Sequence, residues 1–315
     1  MGFLTIFTPT YNRGYILKGL YDSLCQQTDQ DFCWLIVDDG SQDDTAELVR
    51  RWIVENKINI RYFYQRNSGK HVAHNHGVEL CDTPLFFCVD SDDKLAQNAV
   101  EIIHSYWRAD ENNCDNFMGY CTKRYYGEPD VISFNGSCWP LENSLLYPDE
   151  LGGKYHYKGE TGLIWITKEL KKYKFPVILG EYFVTEIVLY FQFQKPMKIK
   201  NDIFYFFIYQ RDGYTKSGFK LQMNNPVGTA VGKKLESMFA SSFFQQLKYE
   251  IKYQGWIQCF KIKQSMLKGI FQGLSFERKR QISWISLLIA YLLRYPCGHL
   301  YKKKVCKNDK QRKRA

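Results

Sequence analysis

Three carboxylates in four residues, Asp90-Ser91-Asp92-Asp93, follow the apolar run Phe86-Phe87-Cys88-Val89. At a strand end such a cluster repels itself unless a cation or a set of hydrogen-bond donors compensates. Hard divalent ions, Mg2+ or Mn2+, take carboxylate oxygens and complete their shells with substrate phosphates, where they act as Lewis acids toward a leaving diphosphate. The competing reading is a turn that caps the next helix, since Asp favours both roles, and for an isolated cluster it is the commoner one. Asp38-Asp39 is a second acidic pair. It reads either as an Asp-Gly turn leading into Ser41 or as an acceptor for a base or ribose edge, as in dinucleotide folds.

Gly69-Lys70-His71 invites a phosphate-loop reading, but Tyr64 stands where the first glycine of that loop belongs and His71 replaces its Ser or Thr. Lys70 is therefore either a phosphate partner or a solvated lysine. His71, His74 and His76 fall short of known metal-ligand spacings, because His76 leaves the helix face the other two share. Glu181 and Glu186 flank a short aromatic stretch at the start of an expected helix, where the helix dipole alone favours acids. Either could instead be the general base that takes a proton from an acceptor hydroxyl. Glu186 is preferred because Ile187, Val188 and Phe191 would seat it at a core edge.

Four alternating units must position these groups. Buried strands are expected at Leu4 to Thr8, Trp34 to Val37, Ile60 to Tyr64 and Leu85 to Val89. Between them fall the helical spacing of Ile16, Leu17, Leu20 and Leu24, a helix opened by a Ser41/Asp44 capping-box pattern, and a short helix over Val72 to Leu80. Alternation of this kind predicts a parallel sheet covered on both faces, with ligands bound beyond the carboxyl ends of the strands. Thr10-Tyr11-Asn12-Arg13, Asp38 to Ser41, Asn67 to Lys70 and Asp90 to Asp93 all fall just past the four strands. Beyond residue 115 the pattern loosens, with a helix expected at Phe183 to Phe193 and strands around Ile199 to Tyr209.

The chain has 315 residues and is 45% apolar, enough for a sizeable core. Ten cysteines without a single C-x-x-C argue against a zinc site or a disulfide framework, and no secretory signal is evident, so a reducing, cytoplasmic setting is expected. Residues 302–315 carry eight Lys or Arg against one Asp, so the tail supplies most of the net charge of +10. The apolar stretch 282–293 is too short to span a bilayer, which needs roughly 20 residues. With the basic tail it suits an anchor on an anionic membrane surface; the alternative is a buried helix and a solvated tail. No groove-reading motif supports nucleic-acid binding.

In order and spacing, four stretches over the first 95 residues resemble the family 2 glycosyltransferases of the GT-A fold. They are Thr8-Pro9-Thr10-Tyr11-Asn12-Arg13, Ile36-Val37-Asp38-Asp39-Gly40-Ser41 with Asp43 and Thr45, Asn67-Ser68-Gly69-Lys70-His71 through Ala73 and Asn75 to Gly77, and Val89-Asp90-Ser91-Asp92-Asp93. The resemblance implies an α/β, Rossmann-like, mostly parallel sheet with helices on both faces, in a GT-A domain at 1–225 with its nucleotide-binding half at 1–95 and its acceptor-side half at 96–225. Residues 226–315 match nothing in the family and read from their own pattern as a helical, basic C-terminal extension. Thr8 and Pro9 would line the nucleotide pocket with Tyr11, Asn12 and Arg13. Asp38 or Asp39 would meet the base, and Lys70, Asn75 and Ser91 would lie near base and diphosphate. Asp90 and Asp92 would hold Mn2+ or Mg2+. Arg211, in Tyr209 to Thr215, would close over the diphosphate. Many relatives place Glu-Asp at the base position where this chain reads Thr185-Glu186-Ile187.

The activity so implied is inverting transfer of a hexosyl or hexosaminyl group from a nucleotide sugar, most commonly a UDP-sugar, to a saccharide or lipid-linked saccharide, as in bacterial surface-polysaccharide assembly at the inner face of the cell membrane. Two other classes compete. A nucleotidyltransferase would use the same fold and metal but needs a glycine-rich loop after the first strand, which Thr8 to Arg13 lacks. A non-catalytic membrane-associated scaffold would keep the fold without turnover.

Overall fold

The structure is a computed structural model that describes residues 2–127, 139–157, 159–208, 210, 214–276, 283–294, 296, 298–299 and 302–303. Its elements in order are β1 (Leu4–Thr10), α1 (Gly14–Cys25), β2 (Phe32–Asp38), α2 (Thr45–Glu55), β3 (Ile60–Tyr64), α3 (Lys70–Leu80), β4 (Leu85–Cys88), β5 (Lys94–Leu95), α4 (Ala99–Asp110) and β6 (Gly119–Lys123). They continue as β7 (Tyr125–Tyr126), β8 (Leu145–Leu146), α5 (Pro148–Gly153), β9 (Thr161–Ile166), α6 (Thr167–Leu170), α7 (Ile187–Tyr190), β10 (Met197–Ile199) and β11 (Tyr205–Phe207). The last are α8 (Tyr214–Asn224), α9 (Pro226–Met238), α10 (Phe243–Phe260), α11 (Gln264–Gln272) and α12 (Trp284–Leu292).

The chain divides into two compact units, residues 1–174 with 195–216, and residues 175–194 with 217–315. The boundary expected at 225 is thus replaced by an interleaved one, with the segment carrying Glu181 and Glu186 grouped with the C-terminal helices. In the first unit an eight-stranded sheet runs β3-β2-β1-β4-β9-β6-β10-β8. The four expected strands pair parallel in the order β3-β2-β1-β4, in register Thr10↔Asp38, Asp38↔Tyr64 and Phe7↔Cys88. Their carboxyl ends therefore share one rim. Beyond β4 the sheet is mixed, because β9 runs antiparallel to both β4 and β6.

β1 and β2 are buried along almost their whole length because both faces are covered. On one face Tyr21, Trp34 and Trp52 stack, the Tyr21 and Trp52 centroids 4.2 Å apart and those of Trp34 and Trp52 5.9 Å apart. Burying a side chain of this size contributes about 3 kcal/mol. On the other face α3 lies so close that a Cβ on Gly77 would fall 2.3 Å from the Phe7 ring.

Two local expectations are corrected. Ser41 and Asp44 do not form a capping box: α2 starts at Thr45, and Asp43 Oδ1 accepts from the Thr45 amide and hydroxyl at 3.1 and 2.5 Å. The helix expected over Phe183 to Phe193 shrinks to Ile187–Tyr190. Its first part is held out of the helix because the Tyr182 and Phe183 amides both donate to Asn225 Oδ1, at 2.7 and 3.0 Å. Among the described residues, strand structure around 199–209 is confined to β10 and β11. Among the described residues no helix is long and apolar enough to cross a membrane.

Candidate active site

Backbone pairing carries each strand into its loop at the rim. The Asp39 amide donates to the Thr10 carbonyl, that of Gln65 to the Asp38 carbonyl, and that of Val89 to the Phe7 carbonyl, all within 2.9 Å. Asn12, left-handed at φ 52°, ties the first loop to the second: its amide donates to Ser41 Oγ at 2.8 Å and its Oδ1 accepts from the Gln42 amide at 2.7 Å. Gly40 turns at φ 89°, with no room for a Cβ, which would stand 2.7 Å from the Asn67 amide nitrogen.

The carboxylates at the second strand end hold these loops together. Asp38 is enclosed, accepting from the Ser41 amide at 2.7 Å and from the Tyr62 hydroxyl at 2.6 Å. Asp39 ties the third loop through the Gln65 side chain at 2.7 Å and the Ser68 and Gly69 amides at 2.9 and 2.7 Å. Burial nevertheless raises its carboxyl above the usual range. Thr8 is likewise engaged from beneath, accepting from Trp34 Nε1 at 3.0 Å, while Pro9 is half-buried and Tyr11 is exposed.

The first, third and fourth loops meet at the acidic cluster. Lys70, the first residue of α3, places its ammonium 2.7 Å from Asp90 Oδ1. Although burial opposes it, Lys70 first and Arg124 next hold the Asp90 carboxyl below its ordinary value, with Arg13 adding to them. Asp92 behaves differently. No other described residue donates to its carboxylate, and burial followed by the charge on Asp90 raises it. Ser91 is buried between the two. Asn75 lies half-buried on α3 about 140° around the axis from Lys70.

Asp93 does not cap a helix, because the next one starts at Ala99 behind Asn98. It is buried and ion-paired with Arg124, and it accepts from the Tyr205 hydroxyl at 2.7 Å. Burial raises its carboxyl to about 7 against the pull of Arg124. The Arg124 guanidinium lies 4.5 Å from the Tyr205 ring centre, 5.1 Å from that of Phe207 and 3.9 Å from Asp90 Oδ2. Tyr205 is positioned by a small second sheet, β5-β11-β7, whose β5 is the strand directly after the acidic cluster. Arg124 and Tyr205 were not singled out from sequence. The available signal was an arginine, next to Lys123, embedded in the tyrosine-rich stretch Tyr120 to Tyr126.

His71 and His74 occupy the core face of α3, His74 edge-on to Phe7 and Phe86 at 5.9 and 5.5 Å. Burial pushes their imidazoles down, to about 4 for His71 and about 3 for His74, where Lys70 adds to the effect. An unfolded chain, with His near 6.5, binds more protons than the fold between pH about 6.5 and about 4. This contribution to stability is therefore complete above about pH 6.5 and is lost as pH falls. A thermal midpoint that declines from about pH 7 to about pH 5, and declines less steeply in His74→Leu, is the expected result. Identical slopes in the two chains would remove His74 from this account.

In the second unit Glu181 is buried and fully committed. Its two oxygens accept from the Val227 and Gly228 amides, 2.6 and 2.7 Å away, at the N-terminus of α9. Burial raises its carboxyl while those amides oppose the rise. Glu186 precedes α7, half-buried, and its carboxylate takes no partner among the described residues. Arg211 lies outside the described residues.

Among the described residues no three His, Cys, Asp or Glu side chains converge as a metal cage. Asp90 and Asp92 do suit a hard ion that keeps water and takes substrate oxygens, because such an ion needs only one or two carboxylates from the protein. The cationic head of Lys70 against Asp90 marks where positive charge is required.

The family described as "Glycosyl transferase family 2" has a sequence model that matches residues 5–175. The teichoic acid poly(glycerol phosphate) polymerase of Staphylococcus epidermidis is 35% identical over 119 residues, 38% of this chain and 16% of that protein. Chondroitin synthase of Escherichia coli is 31% identical over 138 residues, 44% of this chain and 20% of that protein. The chain thus spans a fifth or less of the length of these two relatives. Residues 1–349 of S. aureus TarS, solved in complex with UDP-GlcNAc, share the fold with a TM-score of 0.53 at 16% identity, over 86% of this chain and 79% of that one.

Proposed function

The chain belongs to glycosyl transferase family 2 and is a glycosyltransferase, and from that premise we propose that it moves a hexosyl or hexosaminyl group, with inversion, from a UDP-sugar to a saccharide or lipid-linked saccharide during surface-polysaccharide assembly. The observation that carries the reading is the acidic rim: Lys70 reaches Asp90 from the start of α3, Arg13 adds positive charge from the first loop, and no other described residue donates to Asp92. Relatives named for teichoic acid and chondroitin synthesis support a polymer as product, and the TarS complex supports a uridine nucleotide.

In the proposed reaction the acceptor hydroxyl oxygen bonds to the anomeric carbon, the bond from that carbon to the diphosphate oxygen breaks, and its electron pair leaves with the diphosphate. Glu186 takes the hydroxyl proton. Lys70 and Arg13 bind the diphosphate, with Arg211 assigned to the same charge. Asp90 and Asp92 are the ligands for Mn2+ or Mg2+, which when bound supplies Lewis-acid neutralisation of the leaving group. Asp39 is a better base-edge contact than the enclosed Asp38, and it would exchange one of its three donors to serve. Thr8 and Pro9 are assigned to the floor of the donor pocket, with Tyr11, Asn12, Asn75 and Ser91 at its margin.

A screen of nucleotide sugars for thermal stabilisation with Mn2+ tests the donor, since a ligand that binds only the fold raises its stability by mass action. UDP-sugars are expected to give the largest shift; a larger shift with another nucleotide would overturn that choice. Lys70→Met separates the lysine's two roles. It removes a competitor from Asp90, so Mn2+ alone is expected to bind more tightly, while UDP with Mn2+ binds about tenfold more weakly for loss of a charge-assisted contact. Unchanged affinities for both would exclude Lys70 from the donor site.

A further inference from the structure

α12 is an apolar helix packed the wrong way out. Within the second unit it meets α10 through its small residues: Ala290 is fully buried, the Ser286 hydroxyl donates to Gln246 Oε1 at 2.9 Å, and the Ser283 amide donates to the same oxygen at 2.9 Å. Leu287 and Ile289 are half-buried, and the other large residues are exposed. Trp284 is 70% exposed and Leu292 65%, with Ile285, Leu288 and Tyr291 also open. Trp284, Leu288 and Tyr291 stand at i, i+4 and i+7, so they form one stripe. Gln246 lies in the first turn of α10, whose Phe244 is 80% exposed and extends the apolar surface at that end. Nine residues give a helix of about 14 Å, less than half the hydrocarbon thickness of a bilayer.

The charges around the helix decide what covers it. From Arg278 to Asn308 the sequence holds eight Lys or Arg and no Asp or Glu, with Arg278-Lys279-Arg280 before the helix and Arg294 and Lys302-Lys303-Lys304 after it. Two copies meeting on this face would bring like charges together on both flanks. A surface of anionic lipid headgroups neutralises them and takes the apolar stripe between them, with Trp284 and Tyr291 at the depth those residues favour. We propose that α12 is an in-plane interfacial helix that seats this glycosyltransferase on an anionic lipid bilayer. The inference stands on exposure and charge alone and does not depend on the donor or the catalytic base.

The test is flotation of the full chain with vesicles of phosphatidylglycerol and phosphatidylcholine, or of phosphatidylcholine alone. Wild type is expected to float with the anionic vesicles and to stay behind with the neutral ones. Leu288→Ser/Leu292→Ser is expected to lose flotation while keeping its thermal midpoint, because both side chains are exposed. Lys302→Ala and Lys303→Ala are each expected to weaken partitioning about fivefold, the equivalent of one basic residue near such a surface. Equal flotation of wild type and the double serine variant overturns the apolar role of α12, and equal flotation on both vesicle types overturns the anionic partner. A concentration-dependent dimer in sedimentation, abolished by the same two serines and insensitive to vesicles, overturns the bilayer in favour of a second copy.

Discussion

Asp92→Asn is expected to abolish Mn2+-dependent binding of UDP in calorimetry and to lower transfer by at least about a hundredfold, a loss of roughly 3 kcal/mol in transition-state stabilisation. The reason lies in the contrast with its neighbours. Asp90 already has Lys70, and Asp93 has Arg124 and Tyr205, so each retains a compensating cation when the site is empty of substrate. Asp92 has no ion-pair partner among the described residues, and its carboxyl is raised by burial and by Asp90, with Arg13 and Lys70 opposing the rise only from a distance. Removing its charge takes away the acid of this cluster that, among the described residues, has no direct cationic partner. Asp93→Asn is the informative companion: it is expected to lower stability because the largely buried Arg124 guanidinium loses its nearest carboxylate, while Mn2+ still binds. If Asp92→Asn leaves UDP affinity with Mn2+ unchanged, the metal role of the pair is wrong.

Glu186→Gln is expected to reduce kcat by a factor of about 10² to 10⁴, the usual contribution of a general base, with little change in the KM for the donor. Glu181→Gln is expected to behave in the opposite way. Its amide keeps one acceptor oxygen but turns an NH2 group toward the second amide of α9, at a cost of about 2 kcal/mol in stability, while kcat stays near that of wild type. Thermal melts and initial rates on the same two variants separate the outcomes. Loss of turnover in Glu181→Gln with full activity in Glu186→Gln would move the base to Glu181. Full stability in Glu181→Gln would show that the α9 amides do not depend on it.

Strands β2 and β4 were legible because a strand covered on both faces announces itself as an apolar run, whereas β3, expected to be buried, is the half-exposed edge strand of the sheet. The polar residues that follow each run mark the rim without any knowledge of what lies across it. The roles of those residues were less legible. Ser41 looks like a helix cap by its distance from Asp44, yet its hydroxyl serves Asn12, 29 residues earlier in the chain. Asp93 looks like a cap by its distance from a helical stretch, yet its partners come from Arg124 and from Tyr205. Local spacing records local hydrogen bonds, and these are long-range ones. The helix expected after Gly180 failed for the same reason: Asn225 competes for the amides that would have opened it. Antiparallel β9, inserted between β4 and β6, leaves no signature in its own six residues, since a buried strand reads alike in either direction.

The fastening of Asp93 to Tyr205 spans 112 positions of sequence. Closing so long a loop is slow compared with forming β1, α1 and β2 from neighbours. During synthesis the acidic residues leave the ribosome long before the tyrosine that fixes them, so the chain passes through a stage with a sheet but no fixed acidic loop. Pulse-labelled hydrogen exchange during refolding should then find the amides of Asp90 to Asp93 protected later than those of Leu4 to Phe7. Protection at the same moment would show that the loop orders without its strap. On this view donor competence is the last property the first unit acquires, which keeps a half-made enzyme from holding a nucleotide sugar it cannot yet use.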